Sequence, residues 1–332
     1  MTLPPDRMPA IDRAISNAFG TSDVESVTAL TGGLSGARVF RICVGGRPYL
    51  LRLEGARDVF RDPARWYACM RTAAEALLAP CVRYACAEDG VAIMDFIPER
   101  SLALDYAGER SDLVIDLAKA VRALHATPAF PPLMDYLDAM DGLVGQLRAS
   151  SIAPTDPLPF ARYAEAAALY RRLAPELVSS HNDLNPRNVL YDGERLWLID
   201  WESSFRADRY VDLAAVANMF TSSPEEEDLL LRTYLGAAPD AATRARLFLA
   251  RQINHVFYAV MFLTGVAAER PDARSRSLLG PSVADLHKRL AGGEPVLDSW
   301  EGRLDYGRAH LAAASENLSG RACADAAAAL GA

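Results

Sequence analysis

The segment HNDLNPRNVLYDGERLWLID, residues 181–200, carries Asp183, Asn188 and Asp200 at intervals that a short hairpin can close. Carboxylate and carboxamide oxygens are the ligands that a hard divalent ion such as magnesium accepts, with phosphate and water completing its octahedron. If the Asn and one Asp take the ion, the other Asp can orient a hydroxyl nucleophile, which is the division of labour in kinase-type phosphoryl transfer. Singly, Asn182, Asp183 and Asn185 read more simply as loop caps and Asp200 as a strand end. Their combined spacing is what points to a site.

Bringing these residues together requires a turn. Asp192-Gly193 is a favoured hairpin dipeptide between VLY and RLWLID. The expectation is two antiparallel strands, 188–191 and 194–200, with the start of the first beside the end of the second, so that Asn188 and Asp200 become neighbours. The Asn- and Pro-rich loop before them returns Asp183 to the same mouth.

The elements around this hairpin fall into two parts. VESVTALTGG, ARVFRICV, RPYLLRLEG, CVRYAC and GVAIMDFI alternate with period two, and Gly45-Gly46 makes a tight turn between the second and third. They predict a five-stranded antiparallel sheet, interrupted by one helix over Pro63–Leu78, with Asp62 as cap and Pro at its first turn. Beyond Pro98 the pattern becomes helical, over 111–125, 131–149, 159–173, 224–235, 241–266 and 282–290. The class is α+β, with a small sheet part over 1–98 and a larger, mainly helical part over 99–332.

Composition narrows the partners. The 332 residues are 51% hydrophobic and 23% charged, as in a globular protein; only the Ala-rich end from Ala322 looks compositionally disordered. A net charge of -8 and a pI near 5.3 argue against a nucleic-acid groove and favour a cationic or metal-complexed ligand. Five cysteines (Cys43, Cys69, Cys81, Cys86, Cys323) without a CxxC pair suit reduced thiols. The start MTLPPDRMPAID lacks the apolar stretch of a secretory signal, and the apolar run Val256–Ala268 is too short to span a bilayer, so a cytoplasmic protein without a membrane span is expected. His125, His255, His287 and His310 show no metal spacing.

HNDLNPRNVL followed by LIDWE resembles the catalytic segment of the aminoglycoside phosphotransferase and choline/ethanolamine kinase superfamily, whose two-lobed fold is similar to the protein kinases. The HND triplet, YLLRLEGA at 49–56 and DFIPER at 95–100 look most like choline kinases, and the likeness spans about Leu30 to Gly236. The resemblance implies an ATP- and Mg2+-dependent kinase that phosphorylates an alcohol. It implies that Asp183 is the catalytic base, that His181 supports the loop, that Asn188 and Asp200 hold magnesium and that Asp212 anchors the catalytic loop, although Asp212 can also be only a helix cap. By the same analogy, backbone groups of Asp95 and Ile97 meet adenine. Arg52 stands where most kinase-like folds place a phosphate-binding Lys, and a guanidinium can pair two phosphate oxygens at once. TGGLSGARVFRI is the expected phosphate-covering loop, through Gly32, Gly33, Ser35 and Gly36, and its SGARVFR wording is closer to aminoglycoside phosphotransferases.

The family's helix after the third strand usually carries a Glu partner for the basic residue; RDPARWYACMRTAAEALLAP leaves Asp62 and Glu75 as alternatives. For the acceptor, a small and cationic alcohol such as choline or ethanolamine is expected. Glu202, Trp201 and Tyr210 are candidates to receive it, with Phe205, Phe257, Tyr258 and Phe262 as further aromatic candidates. Aminoglycosides, thiamine and methylthioribose are alternative acceptors, a kinase-fold nucleotide-binding protein with little turnover is the non-enzyme alternative, and a homodimer is left open.

Overall fold

The structure is a computed structural model that describes residues 3–30, 36–98, 100, 102, 105–274 and 277–331. The chain divides into two compact units, Met1–Leu133 with Val178–Arg206, and Met134–Leu177 with Ala207–Ala332.

In the first unit, α1 (Met8–Phe19) precedes the strands β1 (Ser26–Leu30), β2 (Arg38–Val44) and β3 (Arg47–Leu53); α2 (Pro63–Glu75) follows, then β4 (Val82–Cys86) and β5 (Val91–Asp95). The sheet is antiparallel in the order β1-β2-β3-β5-β4, as the period-two pattern predicts. Gly45 and Gly46 both have positive φ, 57° and 71°, which only a glycine pair adopts cheaply in the two-residue turn joining β2 to β3. Alternation sends Phe40, Ile42, Val44, Tyr49, Leu51 and Leu53 to one face, where they form a core with Ile11, Ala14 and Ile15 of α1. Burying each large apolar side chain contributes roughly 1.5–3 kcal/mol. Arg52 belongs to the opposite face of β3. The helix α1 was not expected, because only Ile11, Ala14 and Ile15 of its twelve residues are fully buried and its start is Pro-rich.

Helix α2 begins as its sequence predicts: Asp62 accepts from the Ala64 amide at 3.0 Å and Pro63 fills the first position. It ends three residues early, and Leu77 (φ 60°) then reverses the chain toward β4. The first unit also holds α3 (Arg110–His125), which opens with a reciprocal cap between Glu109 and Asp112.

The second unit is built from α4 (Tyr136–Ala149) and α5 (Leu158–Arg171); β6 (Leu177–Ser180) begins at its border with the first unit. After β6 come β7 (Val189–Tyr191) and β8 (Leu196–Leu198) in the first unit, then β9 (Phe205–Asp208) at the border. The second unit resumes with α6 (Arg209–Phe220), α7 (Pro224–Leu235), α8 (Ala241–Glu269), α9 (Val283–Ala291), α10 (Trp300–Ser319) and α11 (Arg321–Ala329). The 29-residue α8 is its spine, and α5, α6, α10 and α11 all pack on it. The Ala-rich end is therefore not the disordered tail that its composition suggests, because Arg321–Ala329 form α11 on that spine. The α+β expectation holds: an antiparallel five-stranded sheet in the N-terminal part and a mostly helical C-terminal part. Among the described residues no helix is long and apolar enough to cross a membrane.

Candidate active site

The hairpin forms, with a different turn. β7 pairs with β8 through Val189↔Leu198, Leu190↔Trp197 and Tyr191↔Leu196, which centres the turn on Gly193-Glu194 rather than Asp192-Gly193. The Asp192 carboxylate explains the shift. It accepts from the Glu194 and Arg195 amides at 2.8 and 2.9 Å and from the Trp197 indole at 2.7 Å, gripping the loop from its first residue. Partial burial would raise the pKa of this carboxyl, but the Trp197 and backbone bonds outweigh it and hold the group below its ordinary range. Gly193 has φ 104°, and a Cβ there would lie 2.9 Å from the Arg100 guanidinium carbon. The two-residue shift in register preserves which face each side chain takes and moves Asn188 closer to Asp200 than a turn at 192–193 would. The Ile199 amide donates to the Asn188 carbonyl at 3.0 Å, so Asp200 follows directly.

Asp183 is half-buried and its carboxylate is oriented by two neutral amides: Asn185 Nδ2 donates to Oδ1 at 3.0 Å and Asn188 Nδ2 to Oδ2 at 3.1 Å. Asn188 Nδ2 also donates to the Asp183 carbonyl at 2.9 Å, which turns the Asn188 amide oxygen away from Asp183. The loop that carries Asp183 is fixed from below. Leu184 is buried, and the His181 ring, fully buried, sits 2.9 Å through Nε2 from the Ile199 carbonyl and against the Trp201 ring at 4.7 Å. Asn182, with φ 65°, accepts from Ser180 Oγ at 2.7 Å and donates to the Ser203 carbonyl at 2.9 Å. It ties the Asp183 loop to the segment beyond Asp200, a role sequence reading did not assign.

Asp200 also has positive φ, 63°. Its Oδ1 is buried, accepts no hydrogen bond among the described residues, and stands 3.7 Å from Arg52 Nη1. A buried carboxylate oxygen without a donor is costly unless a cation answers it. The donor set of Asp200 and the Asn188 amide oxygen is the oxygen chemistry that magnesium takes, with phosphate and water supplying the remaining positions. Among the described residues no three His, Cys, Asp or Glu side chains form a metal site by themselves.

Arg52 lies within reach of three carboxylates: Nε donates to Glu54 Oε1 at 3.0 Å, Nη1 faces Asp200, and Nη2 pairs with Glu202. Neither Asp62 nor Glu75 is its partner. Asp62 caps α2, and Glu75 is exposed at the helix end. Glu202 and its neighbours are held from α2 by the buried Arg65, which donates to the carbonyls of Phe60 and Glu202 at 2.8 and 2.7 Å and to that of Ser204.

Other expected site residues fall elsewhere. Trp201 is buried against Phe130 and His181, and Tyr210 is buried on α6 with Arg246 4.6 Å from its ring centre, so both rings are packed inside rather than presented to a ligand. Phe205 and Tyr258 are buried as well. Asp212 is fully buried in the first turn of α6, whose cap is Asp208, not Asp212. Asp95 and Ile97 line a cleft of about 330 Å³ with Tyr49, Cys81 and Trp197, and the Asp95 carboxylate holds Arg83 at 2.6 and 2.9 Å. Gly36 is exposed, and a Cβ on Gly55 would come 2.8 Å from its carbonyl oxygen. Gly32, Gly33 and Ser35 lie outside the described residues.

Comparison with known proteins gives a consistent picture. The phosphotransferase enzyme family (APH) matches residues 26–248. Protein LicA of Haemophilus influenzae is 44% identical over 54 residues, 16% of this chain and 20% of that protein. The matches cover about a fifth of the length of the curated relatives. Among solved structures, a choline/ethanolamine kinase family protein from Mesorhizobium loti superposes with TM-score 0.69 at 20% identity, over 98% of this chain and 99% of that one. A ternary complex of streptomycin, ATP and APH(2")-IIa superposes with TM-score 0.57 at 16% identity, over 80% and 91%. At these identities the likeness establishes the shared fold.

Proposed function

We propose that this chain, which belongs to the phosphotransferase enzyme family, is a kinase that transfers the γ-phosphate of ATP to the hydroxyl of choline, ethanolamine or a related amino alcohol. The observation that carries the reading is the junction at the open end of the hairpin, where Asn188 orients Asp183 and its backbone brings Asp200 alongside. Asp183 receives the acceptor hydroxyl, and its two Asn-held oxygens fix the direction from which the proton leaves. Asn188 and Asp200 would hold magnesium, whose charge offsets that of the transferring phosphate. Arg52 grips phosphate oxygens through its terminal nitrogens, and His181 fixes the backbone just before Asp200. The backbone of Asp95 and Ile97 receives the adenine, and Gly36 belongs to the strand-entry segment that covers the phosphates.

Three things support the acceptor class: the choline-kinase wording of HND, YLLRLEGA and DFIPER, the kinship with a choline/ethanolamine kinase family protein, and the surplus of acidic side chains near Asp200. A panel measuring ATP consumption with choline, ethanolamine, thiamine, methylthioribose and several aminoglycosides tests it. Turnover with choline or ethanolamine well above the rest is the expected result. Preference for an aminoglycoside would replace the acceptor, and silence across the panel despite ATP binding would favour a nucleotide-binding protein without turnover.

A further inference from the structure

Helix α2 offers no inward carboxylate to a phosphate-gripping arginine. Its only acidic residue is Glu75, exposed at its end, and the cap Asp62 is engaged by the Ala64 amide. The structure supplies the missing anion from another place. Glu54, the residue that follows β3, lies two beyond Arg52, and the contact of the two side chains places them on one side of the chain. The Glu54 side chain is 4% exposed, and its Oε1 gathers three donors: Arg52 Nε at 3.0 Å, Tyr67 Oη at 3.0 Å and Trp66 Nε1 at 3.3 Å. Trp66 and Tyr67 belong to the buried face of α2. Burial and the adjoining Glu54 push the Tyr67 phenol up, so it remains a neutral donor.

We infer that Glu54 is the positioning residue for Arg52, replacing the helix-borne acid with one that stands just past the end of β3 and that α2 secures through Trp66 and Tyr67. The inference rests on the phosphotransferase reading and adds to it a residue that acts through Arg52 rather than on the nucleotide. Because Glu54 engages the Nε edge, the two terminal nitrogens of Arg52 remain directed toward Asp200 and Glu202, where phosphate would arrive. A guanidinium held by one edge keeps its fork in a fixed plane, which a point-charge ammonium would not need. Neutral donors from α2 also make the arrangement less dependent on that helix. If α2 shifts, Arg52 keeps its partner two residues along its own chain.

Calorimetric titration with ATP and with AMP separates the roles, since AMP lacks the β- and γ-phosphates. Glu54→Gln keeps the shape and removes the charge; it should weaken ATP binding about tenfold, the worth of one charge-assisted hydrogen bond, and leave AMP binding unchanged. Arg52→Ala should weaken ATP at least as much, and adding Glu54→Gln to it should cost nothing further. Tyr67→Phe should weaken ATP by a smaller factor in the same pattern, and it keeps the test available if Glu54→Gln folds poorly. Equal loss of ATP and AMP in Glu54→Gln, or additive losses in the double variant, would overturn the assignment of Glu54 while leaving Arg52 in place. An Arg52→Ala chain that binds ATP normally, or an unsubstituted chain that binds no ATP, would instead overturn the underlying reading.

Discussion

Arg246 in the second unit and Arg52 in the first are both largely buried guanidiniums among acids, with side chains 11% and 14% exposed. Arg246 is saturated. It donates to Asp208 at 2.5 Å, to the Ala174 carbonyl at 2.9 Å and to Glu176 at 3.2 Å, and it lies between the rings of Tyr210 and Tyr170, 4.6 and 5.6 Å from their centres. Arg209 pairs with the same Glu176 at 2.8 Å, so two cations meet two anions. Around Arg52 the balance fails: Glu54, Asp200 and Glu202 all face it, and among the described residues none of the three pairs with a second cation. A guanidinium that only holds the fold is balanced and packed by rings. Arg52, which on the proposed function meets phosphate, is left in anionic excess, next to a carboxylate oxygen without a donor.

Four changes probe that contrast. The largest effect is expected at the anionic site: Asp183→Asn should lower kcat on the order of 10³-fold while ATP affinity and thermal midpoint stay unchanged. Normal turnover in that variant would remove Asp183 from the chemistry. Arg246→Ala should lower unfolding free energy in urea by about 3–5 kcal/mol, because it strands the buried Asp208 carboxylate. ATP affinity of the folded fraction should not move, and a loss of affinity would mean that Arg246 is not purely structural.

The third concerns a cluster of neutral groups in the second unit. His255 and His310 meet through Nδ1 at 2.9 Å, and His287 Nε2 lies 3.0 Å from Tyr306 Oη. Burial, with Arg251 and His287 nearby, lowers His255 to about 3, and burial alone lowers His287 to about 4; His310 is lowered too, by burial and the two other imidazoles. Below the ordinary value of 6.5 the unfolded chain binds protons that the folded unit refuses. Stability from these groups is therefore complete above that value and declines as pH falls from 6.5 toward 4. Thermal midpoints between pH 7.5 and 5 measure it, and a His287→Gln chain should show a shallower decline; an identical slope would exclude His287.

The smallest effect should come from Glu202→Gln. Glu202 holds the Arg52 nitrogen that phosphate would take, so removing its charge should tighten ATP binding on the order of threefold. Weaker binding would show that Glu202 assists the nucleotide rather than competing with it.

The sheet, most of the long helices and the hairpin were legible in the sequence because each has a period and a punctuating residue: Gly45-Gly46, Asp62-Pro63, Ser223-Pro224. Two of the helices that escaped, α6 and α11, had no contrast between faces. In α6 every residue from Tyr210 to Asn218 is buried, so no polar stripe marks its period, and six of the nine residues of α11 are alanine. The hairpin register moved by two residues because Asp192 grips the backbone after it instead of sitting within a two-residue turn. Asp183, Asn188 and Asp200 were legible as a group because two carboxylates and a carboxamide flank one hairpin. Glu54 was overlooked although it stands in the quoted RLEG, since an acid was sought on the helix; the same-face relation at i and i+2 was the available signal.

The left-handed backbone at Asp200 sets a narrow gate for sequence drift. Glycine enters that conformation freely and asparagine tolerates it, whereas valine, isoleucine and threonine do not. Only one of the admissible residues also carries a full negative charge. A library randomised at this codon would thus part into chains that fold and chains that work, and the overlap should be aspartate alone.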